Sequence, residues 1–444
     1  MRRIYEPHAY TQGPVERCYW DTTIPRPPRG AAVEGEIRAE VAILGAGFTG
    51  LSAALHLARD AGADVAVVEA EGIGWGASGR NGGFASIGGT KASAATLRRR
   101  FGQAGLDEWH GVQKETPDAV REILARYGID ADAHSHEGEM ALAHSAREFE
   151  ILKDDVVEIP RDYGVKAELF GPSELAAIGM GGTAFHGGLR MELGFALNPL
   201  KYVLGLGRAA RAEGVRIYEN SPVEGIAREG VDYVLRTARG RLRAKKLIVV
   251  TNGYSSEDVP DWMAGRYLPA QSAILVTREL TEGEIAAQGW SSQTMSYDTR
   301  KLLHYFRLMP NRRFLFGLRG GTSASPAAQD AMRARARADF ETMFPAWATV
   351  ETPHFWSGFV CLTRPLTPYV GLIGDWPNAW AGFAWHGNGV ALGTWSGRLL
   401  ARLATGQAQA PALMSRPPAR FPFGALRRLV LPLAYTWYGL SDRA

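Results

Sequence analysis

Cysteine is nearly absent: Cys18 and Cys361 are the only two in 444 residues. Two thiols cannot build the disulfide framework of a secreted scaffold, and neither has metal-ligand spacing, so a reducing cytoplasm is the expected location and no metal site is expected. Long apolar runs are missing as well. Nothing approaches the roughly 20 residues that span a bilayer, and the opening MRRIYEPHAYTQGPVERCYW lacks the apolar core of a secretory signal. The nearest candidate, Leu429 to Leu440, is short and holds Pro432, so it reads as a packing segment rather than a membrane-surface contact. Charge of one sign is not in large excess: 50 Lys+Arg against 46 Asp+Glu leave +4, which gives little reason to expect a nucleic-acid partner. Paired carboxylates, a Ser/His/Asp set and a metal cluster are all missing, which removes most hydrolytic chemistries. Composition is that of a globular chain, 46% hydrophobic with 22% charged, and the length implies two domains.

Glycine, in contrast, is abundant and patterned. Val41 to Leu44 is an apolar run too short for a helix and reads as a buried parallel strand. Gly45-x-Gly47-x-x-Gly50 follows, with Phe48 and Thr49 opening a helix that runs to Arg59. The first glycine permits the strand-to-helix turn, the second lets a pyrophosphate approach the backbone, and the third lets helix and strand pack closely. A second strand, Asp64 to Val68, ends at Glu69 and Ala70, where a carboxylate can accept hydrogen bonds from both hydroxyls of a ribose. That acid disfavours a 2′-phosphate, leaving NAD or FAD.

The loop from Gly72 to Gly89 chooses between them. Its core, IGWGASGRNGGF, carries Gly76, Ala77, Ser78, Arg80, Asn81, Gly82, Gly83 and Phe84. Glycines let backbone lie against a flat ring, Ser78 and Asn81 can hydrogen-bond diphosphate or ring edge, and Arg80 supplies charge. These residues resemble the second flavin-contacting loop of the FAD-dependent amine and amino-acid oxidoreductases, the family of D-amino-acid, glycine and sarcosine oxidases, with the wording of its γ-glutamylputrescine oxidoreductases most similar. The resemblance implies an α/β fold: a Rossmann-like FAD-binding domain and a substrate domain built on a mostly antiparallel sheet. The expected boundaries are 1–100, 198–259 and 355–444 for the first and 101–197 and 260–354 for the second.

Further motifs stand in the order that this resemblance implies. Tyr19-Trp20 resembles the aromatic lead of the family and reads as an anchor for the N-terminal tail. Leu106 to Tyr127 reads as a helix broken near Pro117, following a shorter one from Ala92 to Arg100. Asn198-Pro199 opens a helix that stops at Gly214. Strands at Arg241 to Ala244 and Lys246 to Val250 lead to Thr251-Asn252-Gly253, which the resemblance places near the diphosphate, with a backbone group at Val223 near the adenine. A hairpin around Pro310 and Asn311 follows. Alternation puts Tyr305 and Arg307 on one face of its first strand, and Arg307 is the guanidinium expected to orient a charged substrate.

The last diagnostic stretch, AWHGNGVALGTWSGRLLA, resembles the final glycine turn and helix of the family. Gly387, Asn388, Gly389 and Val390 form the turn, and the positive helix end should face the flavin pyrimidine edge. His386 stands where serine is common, Asn388 where histidine is usual, and Val390 and Ala391 where sarcosine oxidases place a carboxylate-holding lysine. His386, Arg307 and Tyr305 are therefore the expected catalytic residues. Cys361 lies in a short stretch similar to that carrying the flavin-linked cysteine of sarcosine oxidases, and a buried, inert thiol is the preferred reading. The implied activity is FAD-dependent oxidation of the C–N bond of a secondary or N-substituted small-molecule amine, amino-acid-like or glutamyl-polyamine-like. The imine hydrolyses to a carbonyl compound and an amine, and oxygen is reduced to hydrogen peroxide. A dehydrogenase passing electrons to quinone or protein, a tRNA-base-modifying flavoenzyme and a flavin-binding scaffold are the alternatives.

Overall fold

The computed structural model describes residues 1–442. Apolar stretches without alternation become the centre of a sheet covered on both faces. Gly35–Leu44 pairs in parallel with Val65–Val68 on one side and Gly240–Val249 on the other. Arg216–Tyr218 extends the first flank and Ala379–Phe383 the second, both parallel, and Tyr369–Leu372 closes the edge antiparallel. The two strands expected between Arg241 and Val250 are one continuous strand, because its pairing with Gly35–Leu44 runs past the charged Lys245 and Lys246.

The second sheet runs in the order His354–Leu362, Leu268–Val276, Phe314–Arg319, His304–Leu308, Met295–Asp298, Glu139–Leu142, Gly188–Met191, Ala167–Phe170. Every pairing is antiparallel except that of Met295–Asp298 with Glu139–Leu142. Alternation sorts its faces. Phe306, Phe314 and Phe316 turn outward into an apolar cluster with Phe340, Phe344 and Trp347, while Tyr305 and Arg307 turn the other way. His354–Leu362, expected in the nucleotide-binding half, pairs along its length with Leu268–Val276 and belongs to this sheet. The chain rejoins the first sheet only at Tyr369.

The helices read from the sequence are present, with one difference in where a helix breaks. Asn198 caps Pro199–Ala212 by accepting from the N–H groups of Leu200 and Lys201 at 3.2 Å each. The helical stretch Ala94–Arg126 breaks at Gly102 (φ 72°) rather than near Pro117. Pro117 is tolerated because the Thr116 hydroxyl donates to the Gln113 carbonyl at 2.8 Å, the oxygen that a proline nitrogen cannot reach. The helix Ala391–Ala404 crosses Phe48–Ala61 so closely that a Cβ on Gly397 would stand 2.5 Å from the Thr49 carbonyl oxygen. At the C-terminus, Val430–Ser441 is a helix that buries Leu431 against Leu268 and Ala270 and leaves Leu433 and Trp437 exposed, so only part of this segment packs. No described helix is long and apolar enough to cross a membrane.

Candidate active site

A cavity of about 540 Å³ lies between the two sheets, and the glycine-rich segments converge on it. Its wall at the first sheet holds Gly45, Gly47, Phe48, Thr49, Glu69 and Ala70. Gly50 is not on the wall: a Cβ there would stand 1.9 Å from the Gly45 carbonyl oxygen, so this glycine lets helix and turn meet. No side chain caps Gly47, leaving donors of the first helical turn to an anion, although the Phe48 N–H is taken by Ser78 Oγ at 3.0 Å. Glu69 accepts from the N–H groups of Ala46 (2.8 Å) and Glu71 (3.0 Å) and keeps lone pairs for further donors. Burial pushes its pKa up, and the charges of Glu71 and Glu219 add to the shift.

The loop after Glu69 is held from several sides. Asn81 spends its side chain on the loop itself, donating to the Ala77 and Ser78 carbonyls at 3.0 Å each and accepting from Gly83 N–H at 2.8 Å. It therefore shapes the cradle rather than offering its amide to a ligand. Arg80, 4% exposed, donates to the carbonyls of Trp75 and Ser357 and stacks on Trp75 and Tyr254. Trp20 of the N-terminal lead donates to the Asn81 carbonyl at 2.9 Å, so the aromatic anchor fastens this loop. Gly76, Ala77, Ser78, Arg80, Asn81, Gly82 and Phe84 all line the wall, whereas Gly83 (φ 74°) packs against the Leu197 carbonyl. Val223, Thr251 and Asn252 also line the cavity, while Gly253 lies against Phe359 and Cys361.

The opposite end is formed by the last glycine turn. Ala384, His386 and Gly387 all have positive φ (65°, 49° and 107°), which folds the chain back before the helix Ala391–Ala404. Asn388 locks this turn to the loop: its Oδ1 accepts from Gly89 N–H at 3.2 Å and its Nδ2 donates to Ser86 Oγ (3.2 Å) and the Ile87 carbonyl (2.6 Å). Gly387, Asn388, Gly389 and Val390 all line the cavity.

Of the three expected catalytic residues, two reach this space. Tyr305 lines it with its hydroxyl 3.0 Å from Ser272 Oγ, and burial raises its pKa, so it stays protonated. His386 is fully buried on the wall, its Nε2 3.4 Å from Thr363 Oγ1 and its Nδ1 without a protein partner. Burial and the neighbouring Lys91 lower its pKa to about 3, so the imidazole is neutral. Arg307 is the correction. It is 0% exposed and absent from the cavity wall, donating instead to the carbonyls of Gly83 (3.2 Å) and Leu197 (2.8 Å). Burial brings its pKa down to about 9.

Basic groups do face the cavity, from places the sequence reading passed over. Arg319 ends its strand there, its guanidinium 3.4 Å from the His386 carbonyl oxygen. Lys91, two residues beyond the glycine loop, opens onto the same space. Lys91 keeps an exposed surface towards the cavity, and the dense protein around it, and then Arg319, press its pKa below the ordinary lysine value. A basic residue two positions after a glycine loop was the available signal.

A nucleotide cradle at the edge of a parallel sheet, facing an antiparallel sheet across a deep cavity, defines a dinucleotide-dependent oxidoreductase. The comparisons agree. Residues 40–403 match the DAO family of FAD-dependent oxidoreductases, and the chain belongs to that family. It is 30% identical over 410 residues to the γ-glutamylputrescine oxidoreductase of Escherichia coli, covering 92% of this chain and 93% of the relative. It is also 30% identical over 438 residues to a Rhizobium meliloti protein named "Probable oxidoreductase OrdL", covering 97% and 99%. Among solved structures, glycine oxidase from Geobacillus kaustophilus superposes with a TM-score of 0.69 at 19% identity, covering 85% of this chain and 97% of that one. The cofactor is thus FAD, and the cavity fits it. Besides the uncapped helix and the glycine contacts, Trp75 Nε1, the Tyr254 hydroxyl and His386 Nδ1 are buried on the wall with no protein partner.

The geometry predicts that Arg307→Ala destabilises the fold, by about 3 kcal/mol from the lost hydrogen bonds and the hole left behind. Denaturant melts check this. FAD-loaded variant should keep its KM for substrate, since the side chain does not reach the cavity.

Proposed function

We propose that this enzyme oxidises the C–N bond of a secondary or N-substituted amine that carries an anionic group. The observation that carries the reading is the convergence of a flavin cradle with Lys91 and Arg319 on one cavity. Bound FAD supplies the two-electron acceptor. The chain's own residues do the rest. Arg319, with Lys91, holds the anionic group of the substrate and so fixes which carbon is presented. The same two cations oppose a third positive charge nearby, which favours the neutral, oxidisable form of the substrate amine. Tyr305 offers a hydroxyl held at Ser272, and His386 offers an uncharged ring nitrogen, so neither has to ionise near neutral pH. The uncapped N-terminus of Ala391–Ala404 adds positive potential where electron density collects.

The imine product hydrolyses to a carbonyl compound and a smaller amine. Oxygen is the proposed final acceptor and hydrogen peroxide the second product; transfer to a quinone or protein is the competing reading. Cytoplasmic location and the lack of a nucleic-acid partner belong to the same proposal. Anaerobic mixing of the yellow protein with a panel of anionic secondary amines tests it. At least one should bleach the flavin, and air should then restore the colour with peroxide released. Bleaching without peroxide would favour the dehydrogenase, and no bleaching by any amine would remove amine oxidation.

The cationic pair gives a pH dependence. Losing the Lys91 proton weakens anion binding, and its lowered pKa brings that loss below the pH of an ordinary lysine. KM for the anionic substrate should therefore rise with pH at a lower pH than an ordinary lysine would give, and Lys91→Met should start with a KM raised about tenfold and lack this rise. Arg319→Met should raise KM further, by about 100-fold.

Burial pushes the Cys361 thiol up to about 12, so little thiolate is available to attack a flavin ring. FAD is proposed to be held without a bond to Cys361. Acid precipitation should leave the yellow colour in the supernatant and a colourless pellet.

A further inference from the structure

Glu139 has no part in the reaction above, although it faces the same cavity. It is 5% exposed, and no basic side chain among the described residues pairs with it. Among the described residues Ser86, whose hydroxyl also accepts from Asn388, alone favours its ionised form against burial, and the pKa stands at about 8. Around it, Gln113, Met191 and Tyr297 line the cavity, and Tyr163 donates to Gln113 Oε1 at 2.9 Å. A buried carboxyl without a counter-charge stays protonated near neutral pH, and a cation brought beside it would draw it into its ionised form and pair with it.

Sheet register says how far away that charge lies. Gly317, Tyr305, Tyr297 and Ala141 stand side by side on four consecutive strands. Arg319 is two residues beyond this row at one end and Glu139 two residues before it at the other. The strands of Phe314–Arg319 and Glu139–Leu142 run the same way, so the two residues diverge in opposite directions along the strands. At ordinary strand spacing their backbones are roughly 14 Å apart across the sheet, with a similar offset along it. A simple α-amino acid, with its nitrogen two bonds from the carboxyl carbon, cannot touch both. Proton acceptance from a reacting amine held close to Arg319 is disfavoured for the same reason.

We propose that Glu139 forms a second subsite, for a positively charged nitrogen remote from the anionic group, so that the substrate is an elongated amine with an anion at one end and an ammonium towards the other. The tyrosine rings and hydroxyls beside Glu139 suit such a group, since an ammonium is attracted to aromatic faces as well as to carboxylate. This deepens the amine-oxidase reading and rests on it for the anionic end only.

The test uses unreactive ligands, so that it stands apart from turnover. FAD-loaded wild type and Glu139→Gln are titrated by calorimetry with two matched pairs: hexanoate and 6-aminohexanoate, octanoate and 8-aminooctanoate. In wild type, at least one ω-amino acid should bind tenfold or more tightly than its plain partner, and in Glu139→Gln the two should agree within twofold. Equal preference in both proteins, or no preference in wild type, overturns the subsite while leaving the anion pole intact. Failure of all four acids to bind wild type overturns the anion pole and the subsite together. Should the glutamine variant lose FAD, Glu139→Asp keeps the charge and shortens its arm. It should shift the preference towards the longer amino acid, and an unchanged preference counts against the proposal.

Discussion

Backbone against backbone, with no side chain between, is the contact on which this molecule depends. The third glycine of the first turn sits on the carbonyl of the first, and Gly397 lets one helix lie against the opening turn of another. A methyl group at either place would occupy the position of a carbonyl oxygen. These approaches bring the uncapped end of Phe48–Ala61 and that of Ala391–Ala404 onto one cavity, although more than 300 residues of sequence separate them. Two partial positive charges are then fixed in place without an ionisable side chain, and pH cannot remove them.

Titratable groups are distributed around that fixed field by burial. Next to Lys91 and Arg319, His386 is kept neutral; across the sheet, Glu139 is kept from ionising easily. Arg307 is a cation of another kind. It lies beneath the flavin loop, between the carbonyls of Gly83 and Leu197, with Trp20 and Phe84 within 6 Å of its guanidinium carbon. Its charge helps hold the loop in shape and does not meet the substrate.

The cradle was legible in the sequence because its signals are local. A strand, a glycine turn, a helix and an acid follow one another within about 30 residues, and the later glycine turns announce themselves similarly. The hairpin at Pro310 and the cap at Asn198 were legible for the same reason. Harder to read was which arginine faces the cavity. Arg307 and Arg319 both sit on strands of the same sheet, and the carbonyls of Gly83 and Leu197 over one of them decide that it is covered. Glu139 lies in an apolar strand where nothing nearby in sequence marks its side chain as unpaired. Pro117 misled because the compensating hydroxyl of Thr116 is a property of three-dimensional geometry. The strand His354–Leu362 comes just before the last motifs of the first sheet in sequence yet joins the other, since its partner, Leu268–Val276, lies some 90 residues earlier.

That strand also bears on how such a molecule can be altered. The chain shuttles between the two sheets, entering the second at Glu139, leaving it before Arg216, returning at Leu268 and leaving again after Leu362. No single cut releases either half, so the two cannot be exchanged as modules in the way that beads on a string are. Changes on the strand faces lining the cavity can alter the pocket while leaving the cofactor cradle in place.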